Sequence, residues 1–322
     1  VRVRFGTNDP TPWPPELPAG ENPPPGGIID YYLTAGASGP VRLEILDAAG
    51  KVVRAYSSED SAITPDPALD PAAYDKVCQA DPRAPHCALP FYWPAPQMKL
   101  STRSGMHRFS WDLHFDPIGE RAPQPGGATG AVPRRTYPAV NAPWAPPGAY
   151  TVRLTVNGKR FTQPLTLRLD PRVRTRALGL QRLAALSREM YDGARAAHDA
   201  YAQARALAAR LDSAGGPDAA AFKAQVESLA PAPRPAPRGF AGFGRGPAGP
   251  PTLESLSGRL LSAAMAMQSA DVTPTASQVA ACDSARASSR DLMGRWTALK
   301  TIGLAALNAR RKGASLPEVT LP

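Results

Sequence analysis

The apolar residues of this chain change their period once, near residue 170, and that change governs what the chain can fold into. Before it they recur at every second position, and after it at every third or fourth. A strand sends alternate side chains to opposite faces, whereas a helix brings every third or fourth to one face. The two stretches therefore need separate cores of different kinds, and 322 residues suffice for both.

The alternation is clearest at Phe109, Trp111, Leu113 and Phe115, with Arg108, Ser110, Asp112 and His114 turned the other way. Val41, Leu43 and Ile45 obey the same rule, as do Tyr150, Val152, Leu154 and Val156. Asn157-Gly158, which tolerates positive φ, marks a hairpin, and Asp47 to Gly50 marks a second. Strands are expected at Ile28 to Leu33, Val41 to Leu46, Lys51 to Ser57, Met106 to Phe115, Tyr150 to Val156 and Lys159 to Leu169, with Val1 to Phe5 as a seventh. Such a run of short antiparallel strands predicts an immunoglobulin-like or fibronectin-like β-sandwich over residues 28–169, preceded by an extended arm at 1–27. Insertions at about 59–105 and 117–147 interrupt it, and loops of that length usually carry a function or lack order.

Beyond Thr175, Leu183, Leu186, Met190, Ala194, Ala197, Tyr201, Ala204, Ala208 and Leu211 form one stripe on a long helix that Gly215-Gly216-Pro217 stops. A short helix at Asp218 to Leu229 leads into a Gly/Pro-rich linker at about 230–252, which cannot be helical. A third helix is expected at Leu253 to Ala270. A fourth is expected after Thr273-Pro274, with Cys282, Ala285, Ser289, Leu292, Trp296, Leu299 and Ala306 on one face. Residues 170–322 thus predict an antiparallel bundle of three long helices and one short one.

Charge is divided unevenly, with 17 basic against 16 acidic residues up to Asp170 and 20 against 11 beyond it. The helical half suits an anionic partner surface, or else is a solvated arginine-rich surface. The basic residues are scattered and no nucleic-acid-binding motif occurs, so nucleic acid is not an expected partner. No apolar run reaches the roughly 20 residues needed to cross a bilayer, and Val1 opens directly in the alternating VRVRF without a leader. The chain reads as soluble, and as processed or part of something larger.

Cys78 and Cys87 lie in DKVCQADPRAPHCALP, where a disulfide would staple a loop lacking a core of its own and would indicate an oxidising, extracytoplasmic compartment. Zinc with His86 is the rival, but the spacing fits no usual pattern and a fourth ligand is missing. Cys282, on a helical apolar stripe, reads as a buried thiol.

His107 and His114 are seven residues apart, which on a regular strand puts them on opposite faces, so surface or edge histidines are expected. Asp112 points outward without a nucleophile at a recognisable turn, and no G-x-S-x-G occurs. The acids Asp66, Asp70, Asp75 and Asp81 sit in a proline-punctuated loop and match neither a calcium loop nor a catalytic carboxylate pair. Glycines 239, 242, 244 and 246 lack the Lys-Ser or Lys-Thr and the preceding strand of a phosphate loop. No catalytic, cofactor-binding or metal residues are assigned. The candidate partner contacts are aromatic and arginine side chains on the insertions and linker: Trp93, Arg134, Arg135, Tyr137, Trp144, Arg238, Phe240, Phe243 and Arg245.

The segments GENPPPGGIIDYYL, GPVRLEILDAAGKVVR, GMHRFSWDL, PPGAYTVRLTVNGK and QPLTLRLDPRV, with the helical tail WTALKTIGLAALNARRKGASLPEV, together resemble the C-terminal region of exported bacterial sortilin-type, BNR-repeat "glycosyl hydrolase" proteins. In that family a β-propeller precedes these segments. No S-x-D-x-G-x-T-W repeat is found here, so the resemblance transfers no hydrolase residues. What it implies is export to the periplasm or cell surface.

The sequence therefore predicts a non-catalytic extracytoplasmic scaffold or accessory subunit, peripheral to a membrane. It would dock on protein subunits of a larger membrane-embedded assembly, with a respiratory or photosynthetic complex as candidate host. The second reading is a carbohydrate-proximal accessory region of a sortilin-type enzyme, with Tyr92, Trp93, Tyr137 and Trp144 as a sugar-stacking platform.

Overall fold

A computed structural model describes residues 26–60, 70–80, 99–119, 140–233 and 250–322. Two antiparallel sheets with six strands in all are followed by a region of five helices. The chain divides into two compact units, Val1–Thr175 with Gln268–Asp271, and Arg176–Met267 with Val272–Pro322. The expected strand at Val1 to Phe5 lies outside the described residues.

In the first unit, β1 (Gly27–Leu33) pairs with β4 (Gly105–Trp111), while β2 (Arg42–Leu46), β3 (Val52–Ser57), β5 (Gly148–Val156) and β6 (Lys159–Leu167) form a sheet of order β3-β2-β5-β6. The inward positions are those the alternation marks: Val41, Leu43 and Ile45 are fully buried, as is Trp111. Trp111 meets Tyr150 edge-on at 5.4 Å and Tyr56 meets Phe109 at 4.6 Å, so aromatic rings join the two sheets. Both expected hairpins form. Asn157 and Gly158 take φ of 49° and 75°, as a two-residue hairpin turn requires. Asp47 closes the other hairpin by accepting from the N–H groups of Ala49 and Lys51.

Two expectations fail here. The strand foreseen to run to Phe115 ends at Trp111, and Leu113 takes a φ of 62°. Leu113 and Phe115 are nevertheless buried, because the irregular segment is pinned elsewhere. The first insertion, for which no helix is expected, contains α1 (Pro71–Ala80), which buries Tyr74 to 2% exposure and runs into the start of the cysteine loop. Asp70 starts that helix by accepting from Ala73 N–H, with Pro71 at the first helical position.

The second unit is organised on the 38-residue α2 (Ala177–Ala214). Its small residues permit close packing on α4 (Leu253–Met265): Gly193 leaves room for the methyls of Leu260, and the Ser257 hydroxyl donates to the Ala194 carbonyl at 2.9 Å. α3 (Pro217–Leu229) follows the turn at Gly215 and Gly216, whose φ values of 60° and 92° are open to glycine. α4 stops at Met265 rather than Ala270. α5 (Ala276–Ala298) is capped by Thr275, not Thr273: the Thr275 side chain accepts from Gln278 N–H while the Gln278 side chain accepts from Thr275 N–H.

The fourth helix also departs from its expected stripe. Cys282, Ala285, Leu292 and Trp296 are buried, but Ala306 is exposed and Leu299 only half-buried. A π turn at Leu299–Gly303 joins α5 to α6 (Leu304–Gly313) and adds one residue, so the buried positions become Leu304, Leu307 and Arg311. Among the described residues the C-terminal region thus has five helices where four are expected.

Arg311 is 1% exposed and pairs with no carboxylate among the described residues. Its guanidinium instead donates to three backbone carbonyls: Nε to Pro317 at 2.7 Å, Nη1 to Gly215 at 3.1 Å and Nη2 to Ala214 at 3.2 Å. Two of these belong to the C-terminal end of α2, where orphan carbonyls and the negative end of the helix dipole favour a cation. Hydrogen bonds to a charged group contribute about 1.5–3 kcal/mol each, so Arg311→Met is expected to lower the unfolding free energy by about 3 kcal/mol or more. The exposed neighbour Arg310→Met should change it by less than about 0.5 kcal/mol. Urea unfolding of the two variants checks this.

Candidate functional site

Of the candidate contacts, Trp93, Arg134, Arg135, Tyr137, Arg238, Phe240, Phe243 and Arg245 lie outside the described residues, as do Cys87, His86 and Tyr92. Cys78 is half-buried near the end of α1, and Cys282 is a buried free thiol. Burial raises the Cys282 pKa, which disfavours its thiolate.

Trp144 is described, and it is half-buried rather than free on the surface. It forms an isolated antiparallel bridge with His114, and the two rings lie 4.0 Å apart. Neighbouring backbone completes the seam: Ala145 N–H donates to Leu113 at 2.7 Å and Phe115 N–H to Pro143 at 3.0 Å. Trp144 N–H donates to the side chain of Gln268, and Thr175 Oγ1 donates to the Asp271 carbonyl, which ties Gln268–Asp271 into the sheet unit.

His114 is correspondingly buried, at 9% exposure, and not the surface histidine that regular alternation foresees. The positive φ at Leu113 breaks the alternation and swings His114 inward, with its Nδ1 2.7 Å from the Asp112 carbonyl. His107, by contrast, remains on β4, with its ring 5.1 Å from that of Tyr31. The two histidines do not converge.

Asp112 is also engaged. One carboxylate oxygen accepts from His114 N–H and the other from Arg54 Nη2, each at 3.0 Å. Arg54 reaches on to the Phe115 carbonyl at 3.3 Å and lies 3.7 Å from Asp116, which accepts from Ala55 N–H. Burial works against the Arg54 charge, but Asp112, then Tyr56 and Asp116, outweigh it and raise the pKa. Burial, reinforced by the Asp112 charge, pushes the Tyr56 hydroxyl well above the usual phenol range. Among the described residues Tyr56 Oη and Arg54 Nε are buried without a hydrogen bond of normal geometry, while the guanidinium lies over the Tyr56 ring at 4.9 Å.

Sequence reasoning missed this cluster because it placed Asp112 and His114 on a regular strand. The available signal was the D-x-H spacing, in which Asp112 can bond its own backbone two residues on. Chemically, the cluster joins the irregular segment that follows β4 to β3 through charge-assisted hydrogen bonds, and backbone bonds join the Trp144 segment to that one. Among the described residues no three His, Cys, Asp or Glu side chains gather as a metal site would require, and no helix is long and apolar enough to cross a membrane.

Removing the Trp144 ring opens the seam without touching Arg54. Trp→Ala in a core costs about 3–5 kcal/mol, so the half-buried Trp144→Ala is expected to cost about 2 kcal/mol, and Trp144→Phe less than about 1 kcal/mol. Urea unfolding together with near-ultraviolet circular dichroism tests this. Unchanged stability in Trp144→Ala would show that the ring does not hold the seam.

No family model, curated protein or solved structure matches the chain.

Proposed function

We propose that this chain is a non-catalytic extracytoplasmic scaffold or accessory subunit that docks on a larger, membrane-associated protein assembly. The observation that carries this reading is how the chemically capable side chains are used. Arg54, Asp112, His114 and Asp116 bond one another and the backbone of the segments they fasten. Such a latch fixes irregular chain at a surface, and ordered loops on rigid sheets suit partner recognition.

In this reading the two sheets, joined through Trp111, Tyr150, Tyr56 and Phe109, form an immunoglobulin-like or fibronectin-like sandwich, and the helices an antiparallel bundle. The resemblance to the C-terminal region of sortilin-type proteins supports an exported location. The insertion and linker contacts, Trp93 and Arg238 among them, are proposed docking residues. A respiratory or photosynthetic complex is the proposed class of host.

Crosslinking mass spectrometry on native membranes tests the docking. Lysine crosslinks from this chain to other subunits are expected, whereas a lone monomer with no crosslinks after mild detergent extraction would defeat the reading. The location has its own test. Peptide mapping without reductant is expected to return Cys78 and Cys87 in one disulfide-linked product, with Cys282 alkylated only after unfolding. Recovery of Cys78 and Cys87 as free thiols from the natively extracted protein would remove the support for an oxidising compartment.

A further inference from the structure

The register of the four-stranded sheet lays out its outer face row by row. Arg42 of β2 stands opposite Thr155 of β5, and Thr155 opposite Arg160 of β6. In the next row Glu44 stands opposite Arg153, and Arg153 opposite Thr162. Cross-strand partners share a face, so both rows lie on the side away from the buried Leu43 and Ile45. Arg42 and Arg160 are exposed, and neither forms an ion pair among the described residues. They are two strand spacings apart, about 10 Å.

Glu44, in the row beside them, is already occupied. Arg153 donates to both of its carboxylate oxygens, at 2.7 and 2.8 Å. Those bonds, opposed by some burial and aided by the charges of Arg153, Arg160 and Arg42, hold the Glu44 carboxyl below the usual range. The face is therefore a mosaic in which Arg42 and Arg160 flank Thr155 in one row, and the paired Glu44 and Arg153 lie beside Thr162 in the next.

The neighbouring edge of this sheet is closed to pairing. With a two-residue turn, Val156 and Lys159 form the first hydrogen-bonded pair, so the backbone of Arg160, Thr162, Pro164 and Thr166 points to the free side of β6. Pro164 has no N–H to offer there, and a proline at such a position blunts an edge against strand addition. A partner that meets β6 is thereby steered from the edge to the face.

We propose that this face docks an acidic segment of a partner protein, whose carboxylates pair with Arg42 and Arg160. The inference rests on the docking reading above and names its contact surface and the chemistry of its partner. Charge complementarity selects the occupant. The two rows carry no large apolar side chain to enter a bilayer and no aromatic ring to stack on a base or a sugar. A uniform polyanion would gain at the arginines and lose beside Glu44, whereas a protein can place its acids at the two free cations alone.

The test is fluorescence anisotropy of a labelled peptide of alternating Glu and Thr with the full chain at low ionic strength. Binding that weakens with salt is expected, reduced about fivefold by Arg42→Gln or Arg160→Gln and more than about tenfold by both, the scale of exposed ion pairs. Arg103→Gln, exposed elsewhere on the same unit, should leave binding unchanged, and circular dichroism should show all variants folded. No peptide binding, or equal binding by the double variant, overturns the proposal. So does tighter, Arg42- and Arg160-dependent binding of phosphatidylglycerol vesicles or polygalacturonate, which would assign the face to lipid or to an acidic glycan. On native membranes, crosslinks through Lys159 that vanish in the double variant support the face. Crosslinks confined to other lysines overturn it while leaving docking intact, and the absence of all crosslinks overturns both.

Discussion

Every helix end and strand end leaves backbone carbonyls that ladders and helices do not satisfy, and a buried one needs a donor from elsewhere. Side chains take over that task at several ends of the described elements. Arg311 serves the end of α2 in this way, and Arg54 serves the Phe115 carbonyl. Asn308 exchanges two hydrogen bonds with the backbone of Val319, and Arg210 reaches the carbonyls of Thr320 and Leu321, so the final residues are held like an extra strand without a sheet. Burying a carbonyl without a donor costs on the order of 1–3 kcal/mol, enough to decide whether such a segment orders at all.

That arrangement bears on function. Arginine, aspartate and histidine are the residues most often recruited to catalysis, and here those near Trp144 are committed to chain fastening. Arg42 and Arg160, on the outer sheet face, are by contrast offered to solvent. In the proposed reading a partner would meet surfaces whose shape is fixed beforehand, which limits the ordering cost of association.

Much of the fold was legible in the sequence because its signals are local. Period-two alternation located six strands to within a few residues, and Asn157-Gly158 fixed the register of β5 against β6. The capping signals are equally local: Asp70-Pro71 announces α1, and the Thr275-x-x-Gln278 box announces α5 more strongly than Thr273-Pro274 does. The turn at Leu113 was not legible, since its positive φ is stabilised by Asp112, His114 and Arg54 acting across 58 residues of chain. The buried arginine was hidden for the same reason. Nothing in RRKG distinguishes Arg311 from Arg310 until the helix phase is known.

That phase depends on the π turn at Leu299–Gly303. An α-helix advances about 100° per residue, so the single added residue rotates everything after it by roughly that angle. Shortening the turn by one residue would leave a straighter, better hydrogen-bonded rod and aim the guanidinium of Arg311 into solvent, away from Ala214 and Gly215. The locally irregular turn is thus the element that times the C-terminal helix, and the placement of one distant cation follows from it.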